Sequence, residues 1–248
     1  MYVNCALNRP NVDPGKYPSG GPLPHLIDIW QAAAPNIDML SPDIYHGDFR
    51  EWCKLYDLPN NAVFVPEIQL GDDNGAQALY VIGRHKALGF SPFAIESTSN
   101  HINSPLAQSY RILTDLSDLM VANLPAINGF YLDKSKPSET VKTDNYTLTV
   151  SHEYTLSWAP KTDTWPSAGC IIIATGKDEF WIGGSGVVVT FASNDPKYTA
   201  GLLAVDECIK KENQWHFRRL NGDQTHQGRH MCIPKSEWGI QRVKVYNY

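Results

Sequence analysis

Val63-Phe64-Val65-Pro66-Glu67 is an apolar run that ends on a single carboxylate, and it belongs to the third of four similar strands predicted in the first half of the chain. An apolar run without alternation is typical of a parallel strand that is covered on both faces. Helical patterns separate the four strands, so the segment predicts βα units with a parallel sheet, which amounts to half of a (β/α)8 barrel. The strands are predicted at 2–7, 37–45, 62–66 and 92–96, and the helices at 23–34, 49–56, 76–88 and 106–124.

A polar segment and a series of short strands follow Pro125. The segment 126–145 is polar and predicts a linker or surface loop. Beyond it, Tyr146, Leu148 and Val150 alternate with threonines, as in a half-buried strand. Further short strands, one of them predicted at 154–158, indicate an all-β, sandwich-like domain. The expected order is α/β followed by all-β, with the half barrel at 1–124, the linker at 125–145 and the β-domain at 146–248.

The composition excludes several classes of function. The chain has 248 residues, a hydrophobic fraction of 42% and a net charge of −5, which is enough for a sizeable core but offers no basic surface for nucleic acid. No apolar run approaches the roughly 20 residues that a membrane-spanning helix needs. The five cysteines form no CxxC pair, so we expect buried thiols rather than a zinc site or a disulfide framework. We expect no metal and no cofactor.

Polar side chains near the ends of the four predicted strands are the candidates for chemistry, because strand ends meet at one face of such a barrel. Glycoside hydrolysis needs two carboxyl groups, and Glu67 is the candidate nucleophile because it directly follows an apolar strand. Tyr45 can donate its hydroxyl to Glu67, whereas Asp43, Glu96 and Asn4 can bind sugar hydroxyls. Each of these residues also has a purely structural interpretation, as a salt bridge, a cap or a packed side chain at the rim.

The polar segment 218–230 is the other conspicuous feature of the sequence. Asp223, His226 and His230 can be imagined as metal ligands, but Gly228 and the lack of an apolar helical face argue against a helical ligand pair. A hydrogen-bonded loop, at a domain interface or elsewhere on the surface, is the simpler interpretation.

Two sets of motifs stand out when the sequence is taken as a whole. The first set is Tyr2-Val3-Asn4, Tyr17-Pro18-Ser19-Gly20-Gly21-Pro22, Ile27-Asp28-Ile29-Trp30, Ala33-Ala34-Pro35, Ser41-Pro42-Asp43-Ile44-Tyr45 and Val65-Pro66-Glu67, and the second is 218–230 with Ile240-Gln241-Arg242-Val243. The first set resembles the second half of the barrel in the bacterial β-galactosidases of glycoside hydrolase family 35. The second set resembles the β-rich domain of unknown function that closes those same proteins.

The resemblance implies retaining hydrolysis of terminal β-galactosides, including galactosyl side chains of polysaccharides such as xyloglucan. It equates the four strands with strands five to eight of the barrel and makes Glu67, at the end of the seventh, the nucleophile. The acid/base of the fourth strand would then precede Met1, so the isolated chain is expected to lack it. It also implies a periplasmic or secreted protein, although no signal peptide is visible in this sequence.

A half barrel leaves two open sheet edges and an uncovered inner face, which favour pairing with another chain. We therefore expect the chain to be part of a longer protein, to dock with a separate N-terminal half or to self-associate. The alternatives to an enzyme are a non-catalytic carbohydrate-binding or scaffolding module and an inactive structural remnant. Glycan binding that survives Glu67→Gln and maps beyond residue 140 would favour the module.

Overall fold

The computed structural model describes residues 1–13, 15–235 and 237–248, and its first half is an α/β arrangement. Four strands form a parallel sheet in the order β1-β2-β3-β4, so each strand lies beside its neighbour in sequence. Helices follow the strands, as the sequence predicted. The elements are β1 (Tyr2–Ala6), α1 (Ile27–Ala33), β2 (Met39–Ile44), α2 (Phe49–Tyr56), β3 (Val65–Ile68), α3 (Asn74–His85), β4 (Phe90–Pro92) and α4 (Pro105–Ala122).

Local sequence signals set the ends of two of these helices. The carboxylate of Asp48 accepts a hydrogen bond from the backbone N–H of Arg50 at 2.8 Å, which confirms it as the N-cap of α2. The hydroxyl of Ser104 caps α4 in the same way, and Pro105 occupies the first turn, where its missing N–H costs nothing. These caps explain why the predicted bounds of α2 and α4 lie within two residues of the observed ones.

The second half of the chain is β-rich and contains two antiparallel sheets. One sheet has six strands in the order β12-β11-β14-β9-β8-β5, and the other has four in the order β13-β10-β7-β6. The strands are β5 (Ile127–Leu132), β6 (Ser138–Lys142), β7 (Tyr146–His152), β8 (Ala168–Ala174), β9 (Glu179–Ser185), β10 (Val187–Ser193), β11 (Ala200–Lys211), β12 (Gln214–Arg219), β13 (Met231–Ile233) and β14 (Gly239–Asn247).

The six-stranded sheet is covered on both faces. One face shares a buried cluster with the four-stranded sheet, in which Phe130, Phe180 and Val243 meet Leu148 and Val189. Helices α3 and α4 cover the other face with a separate cluster, whose members are Leu79, Ile112, Leu116, Ile127, Ile171, Ile173, Trp181, Cys208 and Ile240. Apolar side chains therefore project from both faces of this sheet, which explains the continuous apolar run in β8.

Helix α3 belongs to both regions of the protein. It follows β3 of the parallel sheet, and most of its residues are buried. Glycines allow its backbone to approach β5 closely, since a Cβ added to Gly129 would lie 2.5 Å from the carbonyl oxygens of Leu79 and Tyr80. Gly83 meets Gly129 across the same contact. The α/β and β-rich regions are thus packed directly on one shared helix.

Arg50 on α2 makes a second connection between the two regions. Its guanidinium donates to the carbonyl of Tyr131 at 2.9 Å and to the carboxylate of Asp133 at 2.8 Å. Burial alone would raise the pKa of Asp133, but hydrogen bonds from Ser135, Arg50 and Lys136 outweigh it and lower the pKa to about 2. The ion pair therefore persists across the physiological pH range.

Four sequence predictions need correction. Residues 125–145 are not a linker, because they contain β5 and β6, which pair with β8 and β7. The predicted strand 154–158 is instead a 3-10 turn at Glu153–Thr155 followed by a loop. The third strand is Val65–Ile68, so Glu67 lies within it. The fourth strand is Phe90–Pro92, so it overlaps the predicted 92–96 only at Pro92.

The structure also bears on two broader expectations from composition. Among the described residues, no helix combines the length and the hydropathy needed to cross a bilayer. Four of the cysteines are buried and Cys232 is half-buried, and all five are free thiols, as expected.

Candidate active site

A cavity of about 210 Å³ opens at the end of β1, β2 and β3, where three of the predicted site residues meet. Glu67, Tyr45 and Asp43 line it together with the loop that follows β1. The C-terminal edge of a parallel sheet is where open α/β folds place ligands, because the strand ends converge there. The lining residues are Ala6, Leu7, Asn8, Arg9, Pro18, Asp43, Tyr45, His46 and Glu67.

The backbone of β3 is irregular where it carries Glu67. Val65 pairs with Phe90 and Ile68 with Pro92, so the pairing between β3 and β4 shifts across Pro66 and Glu67. Proline has no N–H for the ladder, and such irregularities re-aim side chains beside functional sites. The proline directly before Glu67 therefore gives a local reason for the position of this carboxylate at the cavity.

Glu67 and Tyr45 form the central contact of the site. The phenol of Tyr45 donates a hydrogen bond to Oε1 of Glu67 at 2.5 Å. Burial, the hydrogen bond and the charge of Glu67 raise the pKa of Tyr45 far above its ordinary value, so the phenol keeps its proton. The tyrosine holds one carboxylate oxygen and leaves the other available. This is the contact that the sequence analysis anticipated.

Asp43 lies beside Glu67, because the two residues are register partners on β2 and β3. The amide of Asn4 donates to Oδ2 of Asp43 at 2.7 Å. The other oxygen, Oδ1, is buried and finds no hydrogen-bond partner among the described residues. Burial chiefly, with the charge of Glu67 adding to it, raises the pKa of Asp43 to about 6, although the bond from Asn4 opposes the shift. The site thus holds two adjacent carboxyl groups, and Asp43 takes up a proton as the pH falls to about 6.

Glu96 does not join these residues. It lies in a 3-10 turn at Ile95–Ser97, after Ala94 with a left-handed φ of 55°, and it lines a separate groove of about 550 Å³ with Leu70, Asp72 and Tyr110. The chain turns at Phe93 and Ala94, just beyond β4, which the apolar pattern of 92–96 did not reveal. Of the four residues predicted to accompany Glu67, the structure therefore brings Tyr45, Asp43 and Asn4 together and leaves Glu96 apart.

Two lining residues with basic side chains, Arg9 and His46, were not among the sequence candidates. Arg9 lies in the loop after β1, with its guanidinium 5.7 Å from the ring centroid of Tyr17, and His46 directly follows Tyr45. His46 could have been found from its position just past a strand end. The loop position of Arg9 has no comparable signal, because a loop of that length can fold in many ways.

The polar segment 218–230 does not form a metal site of the kind that was imagined. No group of three or more His, Cys, Asp or Glu side chains within the ranges 1–13, 15–235 and 237–248 has the geometry to hold a metal ion. The histidine rings of His226 and His230 instead stack on each other, with centroids 5.1 Å apart. The end of β12 and a hydrogen-bonded loop at 221–230 make up this segment.

Fold and site together define an α/β region with a carboxylate-lined cavity, packed against a β-rich region of two sheets. A family profile described as a domain of unknown function (DUF5597) matches residues 106–232. The match covers half of the chain, and the protein belongs to this family. The matched segment extends from α4 through most of the β-rich region, whereas the residues that line the cavity lie before it in the sequence. No curated protein matches the chain.

Proposed function

We propose that the protein is the C-terminal part of a retaining glycoside hydrolase that acts on terminal β-galactosides. In this proposal the four parallel strands are strands five to eight of a (β/α)8 barrel, and the two packed β-sheets are its accessory domain. Support comes from the sequential parallel order of β1 to β4, from the carboxyl groups at their C-terminal edge and from the family 35 resemblance of the motifs around them.

The hydrogen bond from Tyr45 to Glu67 is the observation that carries the proposal. In a retaining mechanism a carboxylate oxygen attacks the anomeric carbon, the bond to the leaving oxygen breaks, and water later hydrolyses the glycosyl-enzyme ester. Tyr45 occupies Oε1 of Glu67, which orients Oε2 for attack and disperses the charge of the carboxylate. A structural carboxylate at a barrel rim would have no need of a half-buried phenol that donates to it.

Asp43 and Asn4 have the role of binding sugar hydroxyls in this proposal. Oδ1 of Asp43 is buried with no partner in the described part of the chain, and such an atom costs free energy until a donor reaches it. A hydroxyl group of the bound sugar is a donor of the right kind. The bond from Asn4 fixes the carboxyl group so that its unpartnered oxygen stays in place.

The general acid of the reaction is assigned to a complementary half of the barrel, on the same longer polypeptide, on a second polypeptide or on a second copy of this chain. The edge strands β1 and β4 leave room for such a partner, since Tyr2 is 46% exposed on β1 and Phe93 is 58% exposed just after β4. A partner that completes the sheet would bury these rings and supply the missing wall of the sugar site.

A covalent trapping experiment tests the nucleophile without needing the general acid. Dinitrophenyl 2-deoxy-2-fluoro-β-galactoside has a leaving group that departs without protonation, and its fluorine slows hydrolysis of the glycosyl-enzyme. We expect intact-protein mass spectrometry to show one added fluorogalactosyl group, and peptide mapping to place it on Glu67. Asp43→Asn is the matched control, because it alters the neighbouring carboxyl group and keeps the nucleophile.

The outcomes separate clearly. Labelling of the wild type and of Asp43→Asn, with none in Glu67→Gln, is the expected result. An unlabelled wild-type protein, or a label on another residue, contradicts the proposal. Light scattering of the same sample during size-exclusion chromatography reports whether the chain associates with itself, and a strictly monomeric protein would remove the second copy as the source of the acid.

A further inference from the structure

Trp158 is an exposed tryptophan that is held in place by histidine rings. Its side chain is 60% exposed, although a free tryptophan ring is costly to leave in water. The ring centroid lies 4.8 Å from that of His226 and 6.2 Å from that of His230, and the planes of Trp158 and His230 differ by only 27°. The ring is therefore exposed to solvent, while contacts with the rings of His226 and His230 hold its position.

The loop at 221–230 that carries both histidines is held by hydrogen bonds within it. The buried hydroxyl of Thr225 donates to the carbonyl of Asn221 at 3.2 Å and accepts from the N–H of Gly228 at 3.3 Å. His226 and Gln227 both have left-handed φ angles, 47° and 59°, which are unfavourable for residues with a Cβ. Backbone strain of this kind persists only where surrounding contacts enforce it.

The loop whose histidine rings contact Trp158 is polar. Between Leu220 and Met231 the loop has no aliphatic side chain and no aromatic one besides histidine. Asp223, Gln227 and Arg229 are exposed there and supply both donors and acceptors. A protein interface would surround a tryptophan with further apolar groups, which this loop lacks.

We propose that Trp158 and the loop 221–230 form a glycan-binding platform on the β-rich region. A pyranose ring has an apolar face of C–H groups that packs on an exposed indole, and a rim of hydroxyl groups that suits flanking amide, carboxylate and guanidinium groups. A platform without enclosing walls takes a stretch of polysaccharide rather than a single sugar. The choice of a glycan as the ligand rests partly on the proposed function, whereas the location does not.

Electrophoresis in native gels that contain a polysaccharide tests this platform with the full chain. The probes are soluble xyloglucan, pectic galactan and hydroxyethyl cellulose, each compared with a gel that lacks polysaccharide. We expect at least one probe to retard the wild type, and Trp158→Ala to weaken that binding by roughly tenfold or more, as expected for the loss of a central aromatic anchor. Tyr198→Ala is the matched control, because Tyr198 is a similarly exposed aromatic ring at 51%.

The test separates this platform from the catalytic proposal. Glu67→Gln is expected to bind as the wild type does, whether or not the trapping experiment labels Glu67. Circular dichroism of each variant checks that the fold is intact, and Trp158→Phe, which keeps a smaller ring, should retain part of the retardation. Failure of all three polysaccharides to retard the wild type overturns the inference, as does equal retardation of the wild type and Trp158→Ala, or equal loss in Tyr198→Ala.

Discussion

Replacing Asp43 with asparagine is expected to stabilise the protein at neutral pH and to leave its stability nearly unchanged near pH 4. The reason lies in the cost of ionising this carboxyl group in the folded state. Burial and the neighbouring charge of Glu67 raise the pKa of Asp43 from 3.8 to about 6. Asparagine has nearly the same shape, can still accept the hydrogen bond from Asn4 through its carbonyl oxygen, and carries no charge at any pH.

The direction of the pH dependence follows from proton linkage. Below pH 3.8 the carboxyl group is protonated in both the folded and the unfolded chain, so it contributes no pH-dependent difference. As the pH rises from there to about 6, the unfolded chain ionises first and the folded protein loses stability. Above that range the folded protein retains the whole penalty, which Asp43→Asn removes.

The magnitude can be bounded from the same values. A shift of about two pKa units corresponds to about 3 kcal/mol of unfolding free energy. Asp43 is only partly buried, and solvent screens its interaction with Glu67, so we expect about 1–2 kcal/mol of stabilisation near pH 7. The expected gain near pH 4 is close to zero.

Urea-induced unfolding, followed by tryptophan fluorescence from about pH 4 to about pH 8, measures this difference. Asp144→Asn serves as the control, because Asp144 is exposed. A free-energy difference between Asp43→Asn and wild type that does not change with pH would refute the reasoning. Destabilisation at neutral pH would mean instead that the ionised carboxyl group makes a favourable contact.

Three further changes test the site and the fold. Tyr45→Phe should slow covalent labelling of Glu67 by roughly 10- to 100-fold, because one charge-assisted hydrogen bond is lost, and the rate of mass gain measures this. Gly129→Ala should reduce the urea unfolding free energy by about 1–3 kcal/mol or more, since the new Cβ would lie 2.5 Å from two carbonyl oxygens of α3. His152 is fully buried, where its Nδ1 accepts a hydrogen bond from the backbone N–H of Tyr154 and its Nε2 lies against the carbonyl of Pro166. Burial is the main reason why the pKa of His152 is lowered. The protein should therefore lose stability as the pH falls below 6.5, where the unfolded chain takes up the proton first, and His152→Gln should flatten that pH slope.

Each of these changes has a matched control in the same chain. Tyr198→Phe removes a hydroxyl from an exposed ring and should not affect labelling. Gly176→Ala adds a Cβ that would have no atom of the described residues within 4 Å, so a loss of stability like that of Gly129→Ala would contradict the close-approach argument. His101→Gln changes an exposed histidine and should preserve the acid slope. An unchanged slope in His152→Gln would show that other groups cause it.

The bounds of an element could be predicted from the sequence best where a local capping signal and a periodic apolar pattern agree. Helix α2 has both the Asp48 cap and an apolar stripe, and its predicted bounds coincide with the observed ones. Tyr45 and Glu67 could be paired in advance, because ends of neighbouring parallel strands meet. The strand β6 was missed because it is an edge strand with alternating polar and half-buried residues, from Ser138 to Lys142, that resembles a loop in composition.

Other features depend on contacts that no local pattern encodes. The turn at Ala94, two residues before Glu96, uses a left-handed conformation that alanine rarely adopts, so tertiary contacts must enforce it. The platform at Trp158 joins two loops more than 60 residues apart in sequence, and only the folded β-rich region brings 158 and 226 together. Sequence reasoning identified the polar density of 218–230 but had no way to find its partner.

The packing of α3 explains how the β-rich region supports the cavity. The helix starts shortly after Glu67, and Gly83 within it meets Gly129 of β5 at backbone contact. The α/β region that holds the cavity and the sheets of the β-rich region thus share one helix, so a displacement of β5 would move the segment that follows Glu67. A chain cut between the two regions would expose both α3 and the face of the six-stranded sheet. The β-rich region therefore has a structural role in supporting the site, in addition to the proposed role in glycan binding.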